Sequence, residues 1–463
     1  MVQPANVVLV WLGILYVLVM FGRFCDYFLV GLQLPLLFTL IAVIITILGG
    51  GLANSMRTKA GWCVMAMICW IPVTIPFSFW RSNSLQTYRT FLIHVVMFFV
   101  IAGLPRRIRE MRTLYLSVCA AGVLLLLISL SKGIYLEGRL FLPGGMFQNA
   151  NDLAMVLLIS ACLWCYFLLM PSRYGFLRLP VFLLLGVHAL AISRTGSRGV
   201  ILGIVAVLMY LMWKVSGLAR VKLVSASIAL VIFSLALLPT ALMDRYGTIS
   251  SSMSREVGGM GEAAASSDSR MVFLTDSIRF TITHPVFGIG PGAFAAYWGS
   301  EKEKQGIFVR YNVNHNAYLQ ISSETGFPGL LIYLALHILA FRYVGLALKM
   351  ARTRLFPDWE MVEGMSIAAG GALAAYTVTS FFLSIGYLMP VYLLVGISAG
   401  LYNVTLAAYE QAKKAQAGGT SRPAPEKKPA ADFRGMPPRL APVAGALPGR
   451  PAFSKVNRQA RDW

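Results

Sequence analysis

The sequence predicts an all-α integral membrane protein with about twelve transmembrane helices. Of its 463 residues, 57% are hydrophobic and only 13% are charged. The mean hydropathy is +0.69, and the apolar residues occur in runs long enough to cross a bilayer. A water-soluble domain of this composition would expose too much apolar surface, so the soluble classes are excluded.

Twelve apolar runs give the order of the expected spans. They fall at about residues 6–22, 28–49, 62–80, 88–104, 114–131, 152–170, 179–193, 199–213, 222–240, 328–346, 361–383 and 386–408. Most connections between them are short, but one loop runs from about 241 to 315. Loops of that length are usually functional or disordered.

Basic residues predict the orientation of these spans. The segment 105–112 contains four arginines, and cytoplasmic loops carry an excess of Lys and Arg. Alternating outward from this segment places the other basic clusters on the same side, and both termini with them. The segments then expected outside are about 81–88, about 132–151, 194–199 and about 241–315.

The composition divides the chain into two parts. Residues 1–410 contain all the apolar runs and predict one transmembrane domain. Residues 411–463 are rich in Pro, Ala, Gly, Lys and Arg, which predicts a disordered cytoplasmic tail. The net charge of +21 is scattered over loops between spans, so we expect membrane lipids and no nucleic acid as partners.

The long outer loop contains a predicted amphipathic helix. An apolar stripe begins after Asp268 and consists of Met271, Leu274, Ile278 and Ile282. Pro285 ends the pattern. Such a helix is expected to lie on the membrane or over the bundle.

The end of this loop contains the strongest candidate for chemistry, His315. Read as the start of a short helix, His315 shares a face with Tyr318, Leu319 and Ser322 until Gly326 breaks the helix. The dipole at a helix start favours anions and a neutral imidazole. A neutral imidazole beside an anion suits a proton acceptor acting on a phosphorylated substrate. The alternative is a capping or interface histidine without chemistry.

Three arginines are candidates for binding phosphate. Arg194 and Arg198 lie four residues apart and would share a face if one helix ran through both. Guanidinium groups match phosphate oxygens in geometry and charge, although headgroup anchoring is the alternative. Arg270 opens the amphipathic helix and is the loop arginine that we expect near His315.

Further polar residues complete the candidate site. Asn149 and Asn151 precede a span, where they either cap the helix or bind sugar hydroxyls. We count them, with Asn316, Tyr318 and Arg194, as substrate-binding candidates. Residues 288–292 read Gly-Ile-Gly-Pro-Gly, which favours a tight turn over a phosphate cradle because no strand precedes it. No metal-ligand spacing is apparent, so we expect neither a metal nor a cofactor.

Four motifs together resemble the O-antigen ligase and polymerase family of bacterial envelope enzymes. They are Gln148-Asn149-Ala150-Asn151-Asp152-Leu153-Ala154, Ser193-Arg194-Thr195-Gly196-Ser197-Arg198-Gly199, the segment from Arg270 to Gly292, and His315-Asn316-Ala317-Tyr318-Leu319-Gln320 with Glu324 and Gly326. The resemblance covers roughly residues 140 to 400, and the His-Asn-x-Tyr-Leu motif is its most specific part.

This resemblance implies a metal-independent inverting glycosyltransferase of the bacterial inner membrane. Such an enzyme transfers a glycan from a polyprenyl diphosphate carrier to an acceptor sugar at the periplasmic face. The family's essential arginines and histidine match Arg198 (or Arg194), Arg270 and His315 by position. A ligase uses lipid A-core as acceptor, whereas a polymerase extends a growing carrier-linked chain. A lipid-linked saccharide flippase is the rival from another class.

Overall fold

The computed structural model describes most of the chain. The described residues are 7–29, 34–136, 138–169, 172–215, 262–307 and 313–419, with single positions between 217 and 229. For residues 172–174, 262–270 and 417–419 only the backbone is described.

Helices make up nearly all of the described chain. In order they are α1 Val7–Gly22, α2 Phe24–Phe28, α3 Leu34–Leu48, α4 Gly51–Ser55, α5 Lys59–Thr74, α6 Arg81–Gly103, α7 Ile108–Lys132, α8 Ala150–Leu169, α9 Arg178–Arg194, α10 Arg198–Lys214, α11 Glu262–Thr283, α12 Phe294–Lys304, α13 Ala317–Ala351, α14 Trp359–Thr379 and α15 Met389–Gly419. Short 3-10 turns occupy Ile75–Phe77, Ser172–Leu177 and Ser380–Phe382.

One small β-hairpin departs from the all-α prediction. Strand β1, Ile134–Leu136, pairs antiparallel with β2, Arg139–Phe141, in the register Ile134↔Phe141. The hairpin connects α7 to α8 within the segment that the sequence placed outside the membrane. Apart from the hairpin, the part of the chain that the structure describes has the architecture of an all-α membrane protein.

Eight of the described helices are long and apolar enough to cross a membrane, and α1 and α3 are shorter apolar helices. The expected count of twelve stays a prediction, and its ninth span, at 222–240, lies almost wholly outside the described residues. So do residues 241–261 and 308–312 of the long loop and residues 420–463 of the tail. The helix α15 continues nine residues past the predicted domain boundary at 410, to Gly419.

Hydrogen bonds group the connections at two ends of the bundle. One end, which we call the basic end, includes Arg106 and Arg352. Arg106 Nη2 donates to Gly49 O over 2.8 Å, and Arg352 Nη2 donates to Lys214 O over 2.7 Å. At the end we call the polar end, Phe79 N donates to Ile289 O over 3.0 Å. Two of the segments expected outside meet there, because Ser84 Oγ of 81–88 donates to Pro291 O of the long loop over 2.8 Å. One of them was misread, because 81–88 is not a loop but the first turns of α6.

The helix predicted from Asp268 begins earlier, at Glu262, and ends at Thr283 as its following proline requires. Its predicted apolar stripe is exposed: Met271 is 62% and Ile282 65% accessible. The opposite face, with Phe273, Ser277 and Thr281, is the buried one. The stripe therefore marks the side that faces away from the bundle.

Candidate active site

His315 lies immediately before a helix rather than at its start. It has a left-handed backbone, with φ of 51°, and the helix begins at Ala317. Asn316 is the N-cap, because its Oδ1 accepts from the amides of Tyr318 and Leu319 over 3.0 Å each. The predicted shared face of His315, Tyr318 and Ser322 is therefore wrong: the cap interrupts the helical spacing.

The backbone of His315 is held by a residue far along the chain. Its amide donates to Ser384 Oγ over 2.8 Å, and Ser384 Oγ donates to Asn314 Oδ1 over 3.1 Å. A left-handed conformation is uncommon for a residue other than glycine. The bond from Ser384 is one contact that stabilises it here.

Helix α11 runs parallel to the first part of α13. The rings of Phe273 and His315 lie 6.4 Å apart between centroids, and the hydroxyls of Thr281 and Ser322 lie 2.9 Å apart. Arg270 is three residues before Phe273, so its backbone lies about one helical turn away from the level of His315. The side chain of Arg270 lies outside the described part of the structure.

The glycine-rich segment 288–292 interlocks with the end of the first part of α13. Ile289 N donates to Ser323 O over 2.8 Å, and Gly290 N donates to Glu324 O over 3.0 Å. Gly292 N donates to the buried carboxylate of Glu324 over 2.8 Å. These amides bind the protein itself, so the segment forms the tight turn that the sequence favoured and does not cradle phosphate.

The helix break at Gly326 follows from this interlock. Gly326 has φ of 72° and separates two helical parts of α13, as the sequence predicted. A Cβ atom at Gly326 would lie 2.1 Å from Val286 O, and one at Gly288 would lie 2.3 Å from the carbonyl carbon of Glu324. Only glycine allows the two segments to approach this closely.

Arg194 and Arg198 belong to different helices. Arg194 is the last residue of α9 and Arg198 the first of α10, with Gly196 in a left-handed conformation between them. The predicted shared helix face is therefore wrong. Arg194 Nη1 donates to Tyr135 Oη of the hairpin over 3.3 Å. None of the ion pairs between described residues involves Arg194 or Arg198.

A small polar cavity adjoins Arg198. Its volume is about 20 Å³, which suits one water molecule and no sugar. Its lining consists of Asn151, Gly196, Ser197, Arg198, Gly199, Val200, Thr379, Phe382 and Leu383. It therefore brings Asn151 and Arg198, two of the sequence candidates, to one place.

The segment 380–386 connects this cavity to His315. Gly199 packs so tightly on Phe382 that a Cβ atom there would lie 3.1 Å from the ring. Two residues later, Ser384 bonds His315. Because two residues span at most about 7 Å, Arg198 and His315 lie at two sides of one short segment.

Residues 183–334 match a family model described as O-antigen ligase. This part of the chain is similar to the O-antigen ligase family. The match includes Arg194, Arg198, Arg270 and His315, and it confirms the resemblance that the motifs indicated. No curated protein matches the chain.

The family match and the membrane-spanning helices together support an integral inner-membrane protein with a glycan-handling function of the O-antigen ligase or polymerase type. The match leaves the choice between ligase and polymerase open. It also omits α14 and the segment 380–386 that follows α14 and lies between the two sides of the site.

All five proposed substrate-binding residues have hydrogen bonds within the protein, including Arg194 and Asn151, which bond to residues of the hairpin. Asn149 Oδ1 accepts from Asn151 N over 2.9 Å, so Asn149 caps α8. Asn316 caps α13, as described above. The buried Tyr318 donates its hydroxyl hydrogen to Thr377 O over 2.9 Å and packs on Phe381. Their contact with substrate stays a prediction.

Sequence reasoning missed Arg139 of the hairpin. Its Nε donates to Thr195 O over 2.8 Å, and its Nη2 donates to Asn151 Oδ1 over 2.9 Å. Arg139 therefore ties the α9–α10 turn to the start of α8. The sequence offered one signal for a role of Arg139, its position in a segment expected outside the membrane. Its two hydrogen-bond partners, Asn151 and Thr195, are not its neighbours in sequence.

Proposed function

We propose that this protein transfers a glycan from a polyprenyl diphosphate carrier to an acceptor sugar at the periplasmic face of the inner membrane. One observation supports this most strongly: the segment 380–386 packs on the Arg198 cavity and bonds His315. Arg198, a cationic group for the diphosphate, and His315, a base for the acceptor, thus lie on two sides of one short segment. Both residues lie within the region that matches the family model, and the segment lies outside it.

In this proposal Arg198 and Arg270 bind the diphosphate of the donor. Each guanidinium group donates to phosphate oxygens in a planar fork. As the bond between the anomeric carbon and the diphosphate oxygen breaks, negative charge accumulates on the diphosphate, and the arginines stabilise it. Since guanidinium groups supply this charge, the transfer needs no divalent cation.

His315 acts as the general base. The acceptor hydroxyl oxygen attacks the anomeric carbon from the face opposite the diphosphate, which inverts its configuration. The hydroxyl proton passes to an imidazole nitrogen of His315, and the bonding electron pair leaves with the carrier diphosphate. Such proton transfer contributes roughly 10²- to 10⁴-fold to a rate.

The positive-inside distribution supports a periplasmic site. The basic end of the bundle includes Arg106 and Arg352, whereas the glycine-rich interlock and His315 lie at the polar end. Because cytoplasmic loops are enriched in Lys and Arg, the polar end is assigned to the periplasm and both termini to the cytoplasm.

We favour lipid A-core as acceptor, which makes the protein ligase-like. The test uses purified protein with a defined carrier-linked glycan and two acceptors, lipid A-core and a second carrier-linked repeat. Transfer to lipid A-core supports the ligase, and elongation of the carrier-linked repeat supports the polymerase of the same family.

The same preparation tests the transporter alternative. In vesicles that carry the donor in one leaflet, a flippase moves the donor across the bilayer and leaves its glycosidic bond intact. Movement of donor without transfer to either acceptor would contradict the enzyme proposal. Release of carrier diphosphate only when acceptor is present would support it.

A further inference from the structure

Arg139 holds two elements of the Arg198 cavity at once. It opens strand β2, opposite Leu136 in the hairpin register. Its guanidinium donates to Thr195 O and to Asn151 Oδ1 over 2.8 and 2.9 Å. The buried Thr195 is the C-cap of α9, three residues before Arg198. Arg139 therefore fixes the position of the Thr195 carbonyl group, in the turn that leads into Arg198.

The bond to Asn151 also determines which way the amide faces. A guanidinium has donors and no acceptor, so its contact fixes Oδ1 of Asn151 toward Arg139. The other end of the amide, Nδ2 with two hydrogens, then serves as the donor. Asn151 lines the same cavity as Arg198. A ligand oxygen bound there would receive hydrogen bonds from both residues.

We propose that Arg139 is a positioning residue that directs the Asn151 amide and the Arg198 guanidinium at one diphosphate oxygen. This inference rests on the proposed function, since it names the group that the cavity binds. It assigns the hairpin a role in donor binding, and it makes Asn151 a donor to phosphate rather than a cap. If Arg139 and Asn151 served only to hold the fold together, neither the Asn151 amide nor the Arg198 guanidinium would need a fixed direction.

The substitution Asn151→Asp separates a role of Asn151 in donor binding from a purely structural role. An aspartate keeps an oxygen toward Arg139 and gains an ion pair with it, so the fold is expected to be at least as stable. The second carboxylate oxygen, however, replaces the amide hydrogens and repels the diphosphate. Loss of one hydrogen bond to a charged group corresponds to about 10- to 100-fold weaker binding.

The experiment measures kcat and KM for the carrier-linked donor together with the melting temperature. We expect Asn151→Asp to raise the donor KM about 10-fold or more at unchanged melting temperature. Arg139→Lys retains the charge but loses the fork, so it should raise the donor KM in the same direction. Arg109→Lys, in the exposed pair with Asp358, is the matched control and should change neither value.

A donor KM for Asn151→Asp equal to that of the wild type would overturn the inference. If Arg139→Lys does not fold, Asn151→Asp decides alone, because its expected melting temperature is not lowered. Failure of the proposed function looks different: the wild-type protein itself would transfer glycan to neither acceptor.

Discussion

The two sides of the candidate site are held in different ways. The His315 side (residues 284–293 and 313–327) is joined mainly by main-chain hydrogen bonds, including those from Ile289 and Gly290 to Ser323 and Glu324, with one further bond to the Glu324 carboxylate. The Arg198 side (residues 134–151 and 194–200) is joined by side chains, chiefly Arg139. A main-chain interlock fails as a unit, whereas side-chain bonds can be removed one at a time.

This difference has a consequence for mutation. Glycines on the His315 side lie where a Cβ atom would overlap neighbouring atoms, so most substitutions there disturb the fold. On the Arg198 side, a substitution can change ligand binding and leave the fold intact.

Gly290→Ala should break the His315 side. Gly290 has φ of 106°, and a Cβ atom there would lie 1.9 Å from Ser78 Oγ and 2.8 Å from Ser78 Cα. The backbone strain alone costs about 1–3 kcal/mol, and the overlap adds to it. We expect a large fall in melting temperature and loss of glycan transfer. The control is Gly345→Ala, because a Cβ atom at Gly345 meets nothing within 4 Å. Equal melting temperatures for the two variants would contradict the interlock.

His315→Ala should abolish most of the transfer without unfolding the protein. Loss of a general base lowers kcat by roughly 10²- to 10⁴-fold. The hydrogen bond from the main-chain amide of residue 315 to Ser384 Oγ remains in this variant. Single-turnover transfer measures the effect. His284→Ala is the matched control, since His284 lies at the polar end and contacts Thr283 and Tyr297. Full activity of the His315 variant would end the general-base proposal.

Arg198→Lys and Arg194→Lys should separate the two turn arginines. Arg198 lines the cavity, whereas Arg194 bonds the hydroxyl of Tyr135. Loss of a bidentate contact to a phosphate corresponds to about 10-fold or more in binding. We therefore expect Arg198→Lys to raise the donor KM more than Arg194→Lys does. The reverse order would assign the diphosphate contact to Arg194.

Excess chelator should leave the transfer rate unchanged. In the proposed mechanism, guanidinium groups supply the positive charge at the diphosphate. The rate is measured with carrier-linked donor before and after addition of chelator. A fall in the transfer rate that added divalent ions reverse would show that a metal ion, as well as the arginines, stabilises the charge on the diphosphate.

Much of the His315 side could be predicted from the sequence. Glycine and proline mark turns and breaks through local backbone geometry, so Gly326 and the turn at 288–292 were predicted correctly. The conformation of His315 was not, because it depends on Ser384, 69 residues along the chain. A local pattern contains no information on such a contact.

The Arg198 side could hardly be predicted at all. The strands of the hairpin have three residues each, too few for an alternating pattern. Arg139 contacts residues 12 and 56 positions away. The apolar stripe of α11 left two placements of the helix open, on the membrane or over the bundle. The stripe is exposed, whereas Ser277 and Thr281 are buried, as expected where small or polar residues pack between helices next to a bilayer.

A double-mutant cycle tests most directly whether the two sides form one active site. Transfer is measured for the wild type, His315→Ala, Arg198→Lys and the double variant, and in parallel for the pair His315→Ala and Arg109→Lys. Residues that act on one transition state lose activity non-additively. A shared site predicts that the double variant is much more active than the product of the two single losses allows, while the control pair is additive. Additive losses for His315 and Arg198 would place them in separate sites and contradict the proposed mechanism.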